Sequence, residues 1–243
     1  MNKVEVGFFS FTEITDPNEH RAYNEWHQLD HLPEQLPLRG VAYGSRWVST
    51  PACAVARLVA DDDLASTHYV TLYLMTQPVE TTLDEFLALG QRLRSLGRFH
   101  QQRRSHLSGP LQALEAAAAP SALISGEAVP YRPHRGVFVI VEAQEGASDD
   151  AHDQWLHRDW TPTVLDVDGV AGLWTFATSP RLNRLTWDPG NRRITVVYLD
   201  DEPLRVTDAL TPLVEQRWRD GAVRPQYAGP LETIVPWQWD WFD

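Results

Sequence analysis

The chain has 243 residues, 43% hydrophobic and 22% charged, a globular balance that excludes an intrinsically disordered protein. Acidic residues outnumber basic ones 33 to 21, a net charge of −12, which argues against nucleic acid or an anionic membrane as the partner. Cys53 is the single cysteine, so no intrachain disulfide forms, and with no secretory signal or membrane-spanning apolar run a cytoplasmic location is expected.

Val4 to Phe11 is rich in β-branched and aromatic residues and reads as a strand ending near Thr12. Asp16-Pro17-Asn18-Glu19 supplies a cap, a proline at the first helical position and a glutamate three residues after the cap. The helix it opens should end near Leu32, because Pro33 removes a backbone donor and disfavours helical geometry before it. Gly40 to Ser49 is the next strand, with Val41, Tyr43, Ser45 and Trp47 on one side. Thr50 to Thr67, with Asp61-Asp62-Asp63, is a connection without a clear pattern. Tyr69 to Met75 is a strand, Thr82 with Glu85 opens a helix, and Arg104 to Leu111 is a short strand.

The order βαββαβ then starts again. Residues 1–111 form the first repeat, 112–135 an alanine- and proline-punctuated linker, and 136–243 a second repeat with a tryptophan-rich tail. In it Gly136 to Ala143, Val170 to Thr178, Arg193 to Leu199 and Tyr227 to Val235 read as strands, and Asp149 to Val164 and Pro203 to Arg219 as helices. A shift of 129 residues places Trp26 on Trp155, Asp30 on Asp159, Pro33 on Pro162, Leu36 on Leu165 and Gly40-Val41-Ala42 on Gly169-Val170-Ala171. Tyr73-Leu74 pairs with Tyr198-Leu199, and Gly109-Pro110-Leu111 with Gly229-Pro230-Leu231. Such self-similarity reads as a tandem duplication. Each unit is ferredoxin-like, two helices on one face of an antiparallel sheet. Its other face is apolar, so the expected fold is α+β: two tandem repeats packed sheet to sheet as an α+β barrel.

Trp26-His27-Gln28-Leu29-Asp30-His31-Leu32-Pro33 resembles the aromatic-Trp-x-x-x-His-x-Pro signature of EthD-like proteins, of the dimeric α+β barrel superfamily. Trp26 fills the aromatic position, His31 the histidine and Pro33 the proline, while His27 stands where that signature has tryptophan. The resemblance implies a small-molecule pocket in each unit. It also implies a superfamily of cofactor-free monooxygenases, dehydratases, cyclases and isomerases, with some haem-binding members.

At 100° per residue, His20, His27, His31 and Glu34 share one stripe of the first helix, opposite an apolar stripe of Ala22, Trp26, Leu29, Pro33 and Leu36. That opposition predicts a solvated histidine face unless a site claims it. The second repeat keeps Trp155, Asp159 and Pro162 but carries Leu156, Trp160 and Thr163 where the first has His27, His31 and Glu34. The shared residues are scaffold candidates and the unshared polar ones site candidates. A histidine near a helix C-terminus with a carboxylate nearby is expected to favour its protonated form, with Asp30 reaching His27 and Glu34 reaching His31.

The leading reading is a cofactor-independent lyase or isomerase moving a proton on a small apolar, cyclic or aromatic molecule. His31 is the acid/base, His27 and Asp30 position or tune it, Glu34 assists, and Trp26, Tyr43, Trp47 and Tyr73 are candidates to contact substrate. One alternative is a metal- or haem-dependent oxygenase, with His27, His31 and Glu34 as metal ligands or His106, His134, His152 or His157 beneath a haem. Another is a non-catalytic small-molecule binder. Arg92, Arg94, Arg98, Arg103 and Arg104 form a basic cluster able to hold a carboxylate or to face solvent, and Trp237, Trp239 and Trp241 should alternate along an extended tail. A self-contained monomer or a homodimer completes the expectation.

Overall fold

The computed structural model describes residues 3–61, 63–144, 150–182, 190–219 and 223–242. Asp149, the expected start of the third long helix, and Asp62 of the acidic triplet lie outside these.

Strand β1 (Val4–Ile14) leads into helix α1, residues 17–35, in which an α-helical stretch, a π turn (His27–His31) and a last α turn follow one another. Strand β2 (Val41–Val48), a short helix α2 (Pro51–Val55), a two-residue β3 (Val59–Ala60), β4 (Tyr69–Thr76), α3 (Val79–Ser95) and β5 (Arg103–Ala118) complete the first half. The second half repeats the order: β6 (Gly136–Gln144), α4 (residues 150–165), β7 (Val170–Ala177), β8 (Arg192–Leu199), α5 (Pro203–Trp218) and β9 (Val223–Thr233).

The strands run β2-β4-β1-β5-β7-β8-β6-β9, and β9 pairs back to β2 through Trp47 opposite Thr233, closing an antiparallel α+β barrel. The expected ferredoxin-like α+β fold is the one observed. Its two seams, β5–β7 and β9–β2, join the last strand of each half to the second strand of the other. For that reason β5 runs seven residues past Leu111 to Ala118, through the start of the stretch read as linker: small alanines pair with Gly172–Ala177 without crowding the seam.

Alternate residues of every strand point into the lumen, which is filled: Phe9, Phe11, Trp47, Phe176 and Tyr227 are all fully buried there. Each such ring or branched side chain contributes about 1.5–3 kcal/mol on burial, so the lumen is the main core. The outer face of each half-sheet is covered by its own two helices. Val79, Leu83 and Phe86 of α3 pack on Phe8 and Tyr73, and Leu156, Trp160 and Val164 of α4 and Val206 of α5 cluster with Phe138.

Sheet register corrects one pairing of the repeat. Tyr73 lies opposite Phe8, and the matching position opposite Phe138 holds Val197; Tyr198 instead matches Leu74 and points into the lumen. Gly109-Pro110-Leu111 and Gly229-Pro230-Leu231 do hold equivalent positions. The tail also departs from expectation. It folds in turns: Trp239 is buried against Ile14, Tyr23 and Tyr69, Trp237 is exposed, and Phe242 stacks on His20 at 3.9 Å.

Candidate active site

Helix α1 is where the sequence reading and the structure differ most usefully. Asp16 accepts a bond from the Asn18 amide and starts it as expected, but the helix does not stop at Leu32. In the π turn the Leu32 amide donates to the His27 carbonyl, five residues back, and this wider turn absorbs the donor that Pro33 lacks. The second half does the same: the Thr161 amide donates to the Leu156 carbonyl ahead of Pro162. The two shared prolines therefore mark π turns, not helix ends.

The π turn also sets the face that α1 presents inward. His20, Tyr23, Asn24, His27, His31 and Gln35 are buried, whereas Leu29 and Leu36 of the supposed apolar stripe are 46% and 41% exposed. The histidine face is the inner one because the sheet beneath it is polar: Ser10, Thr12 and Thr71 point outward from β1 and β4. Between this sheet face, α1, α3 and residues 99–103 lies a cavity of about 600 Å³. Tyr23, His27, His31, Tyr73 and Arg103 line it, with Phe8, Phe86 and Phe99 as ring walls and Arg94 at the exposed rim.

Geometry divides the expected residues. His31 stacks on Trp26 at 4.6 Å and meets Gln35 through its Nε2 at 2.8 Å. His27 and His31 have ring centroids 5.1 Å apart, and the Nδ1 atoms of both are buried without a partner, as is the Tyr73 hydroxyl. Asp30 and Glu34 do not reach the histidines. Both bind Arg98 on the outer side, at 3.0 and 2.7 Å, and so fasten α1 to the segment after α3. Trp26 donates its Nε1–H to the Arg98 carbonyl and backs the site. Trp47 is a lumen residue donating to His134 Nε2 at 2.9 Å, and Tyr43 packs on Tyr131, so neither borders the cavity. Gln35, Arg103, Tyr23 and Phe99 were not singled out as substrate contacts, although Arg103 stood in the basic cluster.

The electrostatics reverse the expectation for protonated histidines. Burial, then Arg103 and Arg46, brings the His31 pKa down to about 3, and burial followed by Arg46, His31 and Arg103 holds His27 well below its usual value. Both are neutral imidazoles at pH 7. Burial lowers Arg46 and Arg103 and raises Tyr73. The helix C-terminus and the carboxylates lose because Asp30 and Glu34 are spent on Arg98, while two guanidiniums face the rings.

A haem does not fit this lining. His31 has its Nε2 engaged by Gln35, and the sheet wall opposite carries Ser10, Thr12, Thr71 and Ser105 where a porphyrin face needs apolar surface. His106 and His157 are held by Glu13 and Glu115, and His134 by Trp47. Among the described residues no three His, Cys, Asp or Glu side chains group as a metal site, Glu34 being on Arg98.

At the matching place in the second half, Ile140, Leu156, Trp160 and Val164 fill the space, and the buried Glu142–Arg217 pair at 2.6 Å sits where the first half has Thr12. A cleft of about 240 Å³ remains.

The sequence matches no family model and no curated protein. Solved structures share the fold over nearly the full length. An anthrone oxidase-like protein superposes with a TM-score of 0.60 at 11% identity, covering 97% of this chain and 94% of its own. A chlorite dismutase-like protein gives 0.59 at 8% identity, covering 96% of each chain, and a chlorite dismutase mutant from Candidatus Nitrospira defluvii 0.53 at 11%, covering 95% and 92%. At these identities the likeness establishes the ferredoxin-type α+β barrel. Among the described residues no helix is long and apolar enough to cross a membrane.

Proposed function

We propose that the chain is a small-molecule enzyme that moves a proton on a cyclic or aromatic substrate held in the first-half cavity, with His31 as acid/base and His27 beside it. The observation that carries this is a pair of neutral, buried imidazoles in the wall of a cavity large enough for a drug-sized ligand.

A base whose pKa is about 3 is weak in the empty cavity. Proton abstraction changes that, because it leaves an anion beside the new imidazolium. Two unit charges about 4 Å apart at an effective dielectric near 20 attract by about 4 kcal/mol, on the order of three pKa units. The His31 imidazolium is therefore favoured only alongside the anion that the transfer itself creates. His31 takes the proton from an acidic C–H, the electron pair stays as an enolate, and the proton goes back to another carbon or onto a leaving hydroxyl that departs as water. Gln35 takes the positioning part that the sequence assigned to Asp30. Anthrone has such an acidic ring C–H, so the name of the anthrone oxidase-like neighbour agrees with this substrate type.

Proton abstraction is tested by deuterium exchange. Anthrone, 1-indanone and 2-cyclohexenone are incubated in D2O and exchange at the activated carbon is followed by mass spectrometry. The wild type should accelerate at least one, and His31→Ala should slow it by about 10²–10⁴-fold. Undiminished exchange in the variant removes His31 from the role, and no acceleration by the wild type sinks the reading. We further infer a tandem duplication, with EthD-like kinship resting on residues 26–33; the shared π turns support the first.

A further inference from the structure

In the same cavity Arg103, and Arg94 at its exposed rim, lack the carboxylate partner that Arg193 and Arg217 have, as does Arg46, which borders a separate small cleft between α1 and β2. Arg217 is bound by Glu142 and Arg193 by Asp153. Arg103, by contrast, donates to the Ser105 hydroxyl at 3.3 Å and lies over the rings of Phe99 and Trp26 at 4.9 and 5.6 Å. Arg46 is 6% exposed, donates to neutral Asn24 at 2.9 Å and Gln28 at 3.5 Å, and leaves its Nε without a partner. Arg94 stands over Phe99 at the rim. Among the described residues no carboxylate forms an ion pair with any of the three, and no Asp or Glu lines the cavity, in a protein of net charge −12. Desolvating a cation without a counter-charge is unfavourable, and an anion brought in with the ligand would offset that penalty.

We propose that the cavity takes an aromatic carboxylate, its ring against Phe8, Phe86 and Phe99 and its charge on Arg103. The inference rests on the reading of this cavity as a substrate site. The shape supports it as much as the charge: ring walls on one side select a flat apolar body, and a planar guanidinium supplies the two parallel donors a carboxylate accepts. The chain's acidity adds discrimination, because the general field repels anions and only a ligand that reaches the guanidiniums gains.

The test is calorimetric binding at pH 7 of matched acid and amide pairs, benzoate with benzamide and 2-naphthoate with 2-naphthamide, which differ in charge and hardly in shape. The wild type should prefer the acid of at least one pair by about tenfold or more, and the preference should shrink as salt rises. Arg103→Gln should cut that preference to less than about threefold while amide binding is kept, which also reports an intact cavity. Arg103→Lys, which keeps the charge and loses the fork, should retain most of it. Equal binding of acid and amide, equal weakening of both by Arg103→Gln, or no acid binding below about 10 mM overturns the assignment. Because the readout is binding, its failure leaves the proton-transfer reading to stand or fall on deuterium exchange.

Discussion

Glu142 and Arg217 show what a buried charge in this fold requires. Both Glu142 oxygens are taken by the Arg217 guanidinium, at 2.7 and 2.6 Å, and one also accepts the Trp218 Nε1–H at 2.8 Å. The side chains are 0% and 1% exposed. Glu142→Ala would strand Arg217 in the core, and a loss of about 3–5 kcal/mol is expected in urea unfolding. The paired change Glu142→Leu with Arg217→Met removes both charges and should recover most of it, and a double variant as unstable as the single one would contradict this account. The residue-scale contrast with Arg46 and Arg103 was only half legible. The sequence flags Arg103 within a basic cluster, but which of the five arginines meet a carboxylate depends on Arg98 being drawn to Asp30 and Glu34 and Arg104 to Glu13, contacts between segments far apart in the chain that no local pattern encodes.

At the scale of elements, the succession of the eight long strands and four long helices was readable because propensity, caps and glycine–proline punctuation all point one way, whereas the short α2 and β3 were not. Facing was not readable. With the lumen on one side and helices on the other, β4 is buried on both faces, so the polar–apolar alternation that would tell inner from outer is lost. The histidine stripe failed for a related reason: its partner surface is itself polar, so amphipathicity named the wrong face. The seam is the element on which both halves depend. At Gly172 a Cβ would meet the Ala117 carbonyl oxygen at 2.5 Å and Val129 at 2.7 Å, backbone on one side and a fully buried side chain on the other. Gly172→Val should therefore force β7 off β5 and cost about 1–3 kcal/mol of unfolding free energy, or more if the barrel cannot relax. Unchanged stability would show that the β5–β7 pairing is loose.

The whole molecule carries an unusual load of histidines kept neutral by burial, and this sets its response to acid. His20 is brought to about 4 by burial and by His68, His31 to about 3, and His27, His68, His100, His134 and His152 are all lowered with burial as the first cause. In the unfolded chain each titrates near 6.5, so between that value and the folded one the unfolded state binds protons that the folded state refuses. Stability contributed this way is complete above pH 6.5 and is lost as pH falls toward 4 and 3. For His31, which is 8% exposed, the loss is about 1.4 kcal/mol per pH unit, on the order of 2 kcal/mol at pH 5. Urea unfolding at pH 7 and pH 5 measures it. The wild type should lose about 2 kcal/mol more on acidification than His31→Gln, which has no proton to gain at that site. Equal losses would mean that His31 is not held neutral in the folded protein. The base postulated for catalysis would then already be charged before substrate arrives, and the cavity's guanidiniums would have to be facing away from it.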